Sequence, residues 1–224
     1  MIDRLPTWVW SGAWLLAFVA GSVNVVGLLG FEHQAITHLT GNTSLLAESV
    51  ARGHAGDSLH FLLLLAAFVV GCALSGLLIR DSSLQLGRRY GIALLLASLL
   101  LAVAVPMLEA GSDWGMYSAA CACGLMNAMV STYSGAVVRT THVSGMFTDL
   151  GIALGHALRG LPVHRRRLLL CVLVISGFLA GGVVGAWLFA DFSYRALFMP
   201  ALFTALLALV YAVYWRRQRK AWAG

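Results

Sequence analysis

Thr37-His38-Leu39-Thr40-Gly41 returns late in the chain as Thr141-His142-Val143-Ser144-Gly145, residue 141 answering residue 37 at an offset of 104. Two further matches lie in order around this one. Gly21-Ser22-Val23-Asn24 answers to Gly124-Leu125-Met126-Asn127 at an offset of 103. Gly71 with Ser75-Gly76 answers to Gly177 with Gly181-Gly182 at an offset of 106. Offsets that rise slowly and in order are what small insertions in a duplicated chain produce. The sequence therefore reads as two copies of one unit.

The copies are built for a bilayer. Of 224 residues, 60% are hydrophobic and only 11% charged, whereas soluble domains sit near 25% charged. A spanning helix needs about 20 mostly apolar residues. Six stretches qualify, at about 12–30, 59–79, 90–107, 114–137, 168–190 and 195–215. None alternates strictly as a barrel strand does, and hydrocarbon leaves backbone groups no water, so all six are expected to be helices. The first run follows a single Arg and could pass for a signal peptide, but Asn24 interrupts it and no convincing cleavage site follows. Cys72, Cys121, Cys123 and Cys171 all fall inside apolar runs, where cysteine packs as a small residue. Cys121 and Cys123 point to different helix faces and cannot chelate together.

The net charge of +6 comes from basic residues placed between apolar runs, not gathered into a patch that would bind nucleic acid. Residues 31–58 and 138–167 are too polar to span and too apolar to be free loops. If each returns to the side it left, thirteen of the fifteen Lys and Arg fall on one side, and only Arg52 and Arg195 on the other. Full crossing of both segments would give ten against five. The thirteen-to-two split fits the positive-inside rule and places both termini in the cytoplasm. Three spans per half is odd, so the second half enters upside down. The expected fold is an all-α integral membrane protein of six transmembrane helices in a 3+3 inverted repeat. It is one domain over residues 1–224, with copies at about 12–107 and 114–215 and a short basic cytoplasmic tail at 216–224.

Each half carries a re-entrant or amphipathic half-helix. Descending from Phe31, the chain meets His33, His38, Thr40, Gly41 and Asn42, then an apolar-rich stretch ending at Arg52. Asn42 or Thr43 is a candidate cap. Ten helical residues cover roughly 15 Å, about half of the hydrocarbon core. The second copy repeats this from Gly145 to Arg159. Two half-helix N-termini meeting near the midplane would offer unpaired N–H groups to an anion or polar oxygen. Such backbone is tolerated only where protein or a wet cavity surrounds it. The alternative is an amphipathic helix lying on each membrane surface. An interfacial helix has no need of the same motif on opposite sides, and Thr37–Val50 carries no Lys or Arg.

Candidate site residues follow from these segments. Asn24 and Asn127 sit mid-span, where an amide must find a partner, either across helices or on a solute. His38 and His142 are symmetric candidates for ligands, proton acceptors or backbone caps. Thr40, Gly41 and Asn42, with Ser144, Gly145 and Thr148, line the same turns. Asp149 is the acid expected at membrane depth, a functional candidate whose structural alternatives are capping and pairing with Arg139. Two His alone make an incomplete metal site, so neither metal nor other cofactor is expected. Gly71 with Ser75, and Gly177, Gly181 and Gly185, read as close-packing seams, and the same seams offer a route to homo-oligomers.

The Ala17–Asn42 stretch, with Ala20-Gly21, Val26-Gly27 and Thr40-Gly41-Asn42, resembles the YoaK family of bacterial membrane proteins. Gly124-Leu125-Met126-Asn127-Ala128 and Thr140-Thr141…Ser144-Gly145…Thr148-Asp149-Leu150-Gly151 resemble that family's second signature. The resemblance covers nearly the whole chain and implies several spans in a bacterial inner membrane, with no settled substrate. Asn24 stands where an acid is common in the family, which weakens a proton-carrying role there, and Ser144 where Thr is usual. The reading reached is a non-enzymatic transporter or channel for a small polar or anionic solute, with protons as a candidate coupling partner. Its site lies between the two Thr-His-x-(Thr/Ser)-Gly segments. A membrane-embedded enzyme using His38, His142 and Asp149 as acid–base groups, or a non-catalytic scaffold, are the competing classes.

Overall fold

Burying a helix in hydrocarbon requires about 20 residues whose backbone bonds are satisfied internally, and the chain supplies them repeatedly. The computed structural model describes residues 7–30, 36–79, 88–134 and 140–222. They form α1 (Thr7–Gly30), α2 (Leu39–Ala51), α3 (Ala55–Leu78), α4 (Arg88–Glu109), α5 (Trp114–Ser134), α6 (Val143–Leu158), α7 (Arg165–Phe192), a 3-10 turn (Ser193–Leu197) and α8 (Phe198–Trp222). Phe31, His33, Arg4, Arg80 and Arg139, which entered the sequence reading, lie outside the described residues.

Four described stretches are long and apolar enough to cross a membrane: Val9–Gly30, Ala55–Leu78, Arg89–Glu109 and Arg165–Tyr214, the last taking in α7 and α8. The fourth expected span, α5, is not among them. Its apolar residues are mostly Ala, Gly, Cys and Met, and thirteen of its positions from Gly115 to Ser134 are buried against other helices. A helix wrapped by protein has little need of large lipid-facing side chains. The outer faces of the other long helices do the opposite. Leu62, Val69, Val70 and Leu77 on α3, and Leu202, Leu209 and Val210 on α8, are all more than half exposed. Apolar surface on that scale is untenable in water and at home in lipid.

The long helices form one bundle. α1 packs along α7 and α3 along α5, while α4 lies between α5 and α8. One end gathers the starts of α1, α4 and α7 with the ends of α3, α5 and α8, and Arg89 Nη1 reaches the Leu78 carbonyl there at 3.4 Å. This is the arginine-rich end. At the opposite end, Tyr194 Oη donates to the Gly30 carbonyl (2.6 Å) and Arg195 Nε to Glu109 (2.7 Å). Arg52 pairs with Glu48 at 2.8 Å, so both arginines on that end are neutralised by a glutamate.

Two seams hold the bundle at backbone distance. A methyl at Gly21 would strike the Phe178 carbonyl, and one at Gly124 would strike the Phe68 carbonyl. In return, Gly181 faces the Phe18 carbonyl and Gly71 the Cys121 carbonyl. These contacts correspond: 124 against 21 and 121 against 18 are 103 apart, and 178 against 68 and 181 against 71 are 110 apart. The sequence match of Gly71 with Gly177 is thus corrected to Gly71 with Gly181. Gly177, Gly181 and Gly185 all face α1 at one-turn spacing, and such a ladder matches itself equally well when slid by one turn.

The short helices depart from the expected boundaries. α2 begins at Leu39 after an N-cap His38, not at Asn42 or Thr43, and α6 begins at Val143 after His142. Asn42 cannot be the cap because its own N–H already closes the first turn onto the His38 carbonyl (3.0 Å). Both helices stop alike. Gly53 (φ +73°) and Gly160 (φ +69°) take the left-handed conformation just after Arg52 and Arg159. The next amides turn back, His54 N–H to Ser49 and Leu161 N–H to His156, both at 2.9 Å.

Because the obstacles at the seams are backbone atoms, Gly21→Leu and Gly124→Leu are expected to cost about 2–3 kcal/mol or more. The loss should appear as a Tm drop of about 5–10 °C on heating in detergent followed by size-exclusion chromatography. Gly76→Leu, where a side chain meets nothing within 4 Å, should leave Tm within about 2 °C.

Candidate functional site

Asn24 lies six residues before the end of α1, and its Oδ1 accepts two hydrogen bonds from Thr37, one from the backbone N–H (3.0 Å) and one from Oγ1 (2.7 Å). The chain therefore leaves α1 at Gly30, comes back to the level of Asn24, and starts α2 from there. α2 runs out again, and Leu45, Glu48 and Ser49 reach the Gly30 end of α1 around one hollow. The sequence left Asn24 two kinds of partner, one across helices and one on a solute. The structure ties Asn24 to Thr37, just ahead of α2 in the same half of the chain.

The histidines of the repeated motif have a local role in common. Neither His38 nor His142 makes a side-chain capping hydrogen bond. Each ring folds over the glycine three residues on: a methyl at Gly41 would lie 2.6 Å from His38 Nδ1, and one at Gly145 would strike the His142 ring. Thr-His-x-(Thr/Ser)-Gly is thus a helix-start device in which glycine makes room for imidazole. Both rings are exposed, as are Thr40, Ser144 and Thr148. Thr148 Oγ1 is turned back to the Ser144 carbonyl at 3.0 Å. Asn42 is 1% exposed and faces the interior.

Asp149 is engaged by Arg167 in a two-pronged pair, Nη2 to Oδ1 at 2.9 Å and Nε to Oδ2 at 3.2 Å. The carboxylate is 23% exposed and the guanidinium 63%. The pair clips α6 to the start of α7; the expected partner Arg139 lies outside the described residues. No sequence signal separated Arg167 from its neighbours Arg165 and Arg166, since only the rotation of α7 decides which of them faces α6.

The two copies differ at their asparagines. Asn127 occupies the position of Asn24, yet its Oδ1 is buried without a hydrogen-bond partner. α2 packs on α3 and α6 on α7, and among the described residues no contact joins α2 to α6. The two short helices therefore do not touch each other in this structure. His142 and Asp149 stand two turns apart on α6.

Two cavities flank these elements. A polar hollow of about 640 Å³ at the opposite end is lined by Glu48, Ser49, Arg52, His54, Asp57 and His60 among others. Its wall is braced by Tyr117 Oη on His60 Nδ1 (2.9 Å) and Ser49 on Ser58 (2.9 Å). An apolar cavity of about 360 Å³ at the arginine-rich end lies between α1, α4, α5 and α8, with Gly12, Tyr90, Met129, Tyr133, Tyr211 and Tyr214 in its wall. None of the residues expected to form the site lines either cavity. Sequence reasoning missed both, for their walls come from three helices with two loops in one case and four helices in the other, with no shared motif.

Comparison with known proteins agrees with a membrane protein. The family described as "Protein of unknown function (DUF1275)" matches residues 12–210. A UPF0700 transmembrane protein of Rhizobium meliloti (strain 1021) is 29% identical over 192 residues, covering 86% of this chain and 81% of the relative. No solved structure matches. The YoaK-like signature runs belong to the same family. With its apolar helices and lipid-facing outer surface, the chain is a membrane protein of the DUF1275 family.

Proposed function

We propose that the chain is a transporter or channel for a small polar or anionic solute, built as a six-span 3+3 inverted repeat in the bacterial inner membrane with both termini cytoplasmic. The observation that carries this reading is the correspondence of the two glycine seams, in which the same two offsets relate both glycines and the carbonyls they admit. A scaffold needs no such internal correspondence, whereas alternating access is commonly built from inverted repeats. The loop held at Asn24 supports a re-entrant first segment, because its start lies about 9 Å of helix rise inside the end of α1. The pathway residues are then Asn24, Thr40, Asn42 and the polar hollow on one side. On the other they are Asn127, Ser144, Thr148 and Asp149, with His38–Gly41 and His142–Gly145 shaping the two helix starts. The glycine seams are filled by the chain's own helices, so a homo-oligomer would form on other helix faces.

Purified chain in proteoliposomes should take up at least one solute from a panel of small anions, sugars and amino acids, tested with and without a proton gradient. Empty response across the panel, in protein shown to be folded, would remove the transport reading.

The charge split fixes a labelling pattern. Cysteine at Ser112 should react with an impermeant thiol reagent outside intact cells, and cysteine at His164 should react only after permeabilisation. The reverse pattern overturns the orientation.

Asp149 is the candidate proton-coupling group. Asp149→Asn keeps the shape and one acceptor oxygen but cannot titrate. Gradient-driven uptake should fall at least tenfold while solute exchange survives. Normal uphill transport by Asp149→Asn would leave the carboxylate with the structural task of holding Arg167.

A further inference from the structure

The corresponding halves are not in the same state. Gly12 and Gly115 stand 103 residues apart, the offset that relates Gly21 to Gly124. At Gly115 a methyl would meet Leu108 side-chain carbons at 2.5 Å and the Ala104 carbonyl at 2.8 Å, so α4 lies tight on α5. At Gly12 a methyl would meet nothing within 4 Å. There α8 stands away from α1, and the space between them is the apolar cavity of about 360 Å³ walled by Gly12, Leu16, Tyr90, Val210 and Tyr211.

A second difference has the same polarity. Asn24 holds Thr37 through two hydrogen bonds, whereas no hydrogen bond joins Asn127 to Thr141 and Asn127 Oδ1 is buried without a partner. The loop held by Asn24 enters from the opposite end, where Gly115 is covered by Leu108. The loop near Asn127 enters from the arginine-rich end, where Gly12 is uncovered. At both pairs of positions the engaged member, Asn24 or Gly115, belongs to the opposite end and the disengaged member, Asn127 or Gly12, to the arginine-rich end.

We propose that Asn24–Thr37 and Asn127–Thr141 are alternating latches, and that this structure is the state open at the arginine-rich end. The proposal rests on the inverted-repeat reading above. In the second state α8 closes over Gly12 as α4 now closes over Gly115, and its Val210 and Tyr211 side chains fill the cavity. Asn127 takes Thr141, while Asn24 lets Thr37 go. Two hydrogen bonds are lost in one half and two are made in the other, so the states stay close in free energy and a bound solute can shift their populations. The buried oxygen of Asn127 that lacks a donor here is the group which gains one in the second state.

The test follows the reactivity of Leu108→Cys, a position only 2% exposed under the closed end, toward a water-soluble thiol reagent. The full chain is studied in lipid nanodiscs, with labelling of the parent chain subtracted. Asn24→Ala weakens the latch of the closed end and should raise the labelling rate about threefold or more. Asn24→Asp keeps an acceptor oxygen for Thr37 and should stay near the parent rate. Gly12→Trp fills the distant cavity, prevents α8 from closing, and should bring the rate of the Asn24→Ala chain back to the parent value or below. Gly12→Leu serves in its place if the indole variant is not monodisperse. An Asn24→Ala chain whose raised rate is unchanged or increased by filling Gly12 overturns the proposal, because local loosening at Asn24 gives no reason for protection from the far end. The labelling needs no solute, so a chain that passes it while failing every uptake screen keeps its gate and loses the transport reading.

Discussion

The tightest constraint in this protein is the passage of backbone against backbone at four glycines. Helix packing in lipid draws little from the hydrophobic effect, since the tails are as apolar as the side chains, and relies on close van der Waals contact and polar links. Gly21, Gly124, Gly71 and Gly181 each admit a carbonyl from the neighbouring helix. With α1 locked along α7 and α3 along α5, the first copy is joined to the second at two places, and α4 and α8 are left to pack around them. Cys72 Sγ on the Gly124 carbonyl (3.3 Å) and Ser98 Oγ on the Ala201 carbonyl (2.8 Å) are the kind of short polar link such close approach permits.

Those seams also explain where polar chemistry sits. Rigid pairs in the middle leave the two ends to the short helices α2 and α6, each started by a histidine folded over glycine and stopped by an arginine followed by a left-handed glycine. Arg52 and Arg195 each pair with a glutamate, and Arg167 of the Arg165-Arg166-Arg167 run pairs with an aspartate, Asp149.

Much of the function-bearing pattern is polar only locally. Asn42 is buried, while His38, Thr40, His142, Ser144 and Thr148 point outward from helix starts. A recurring five-residue motif was evidence of correspondence between the copies, and its residues turn out to shape the backbone at each helix start. The chemically distinct positions are the ones where the copies disagree: Asn24 bonded and Asn127 not, Gly115 covered and Gly12 open, Asp149 with no acidic counterpart in the first copy.

The sequence by itself determined the helical membrane class, the helix at each of the six apolar runs and the two short segments between them. Each depends on composition, run length or a repeated string, all of which are properties of the chain taken in order. It could not determine the register of Gly71 against Gly181, the choice of Arg167 over its neighbours, the Thr37 partner of Asn24, or the separation of α2 from α6. These depend on how helices rotate and slide against one another, and a ladder of small residues every four positions fits equally well one turn away. Only the three-dimensional contact, where a carbonyl either finds room above a glycine or does not, selects among those equivalents.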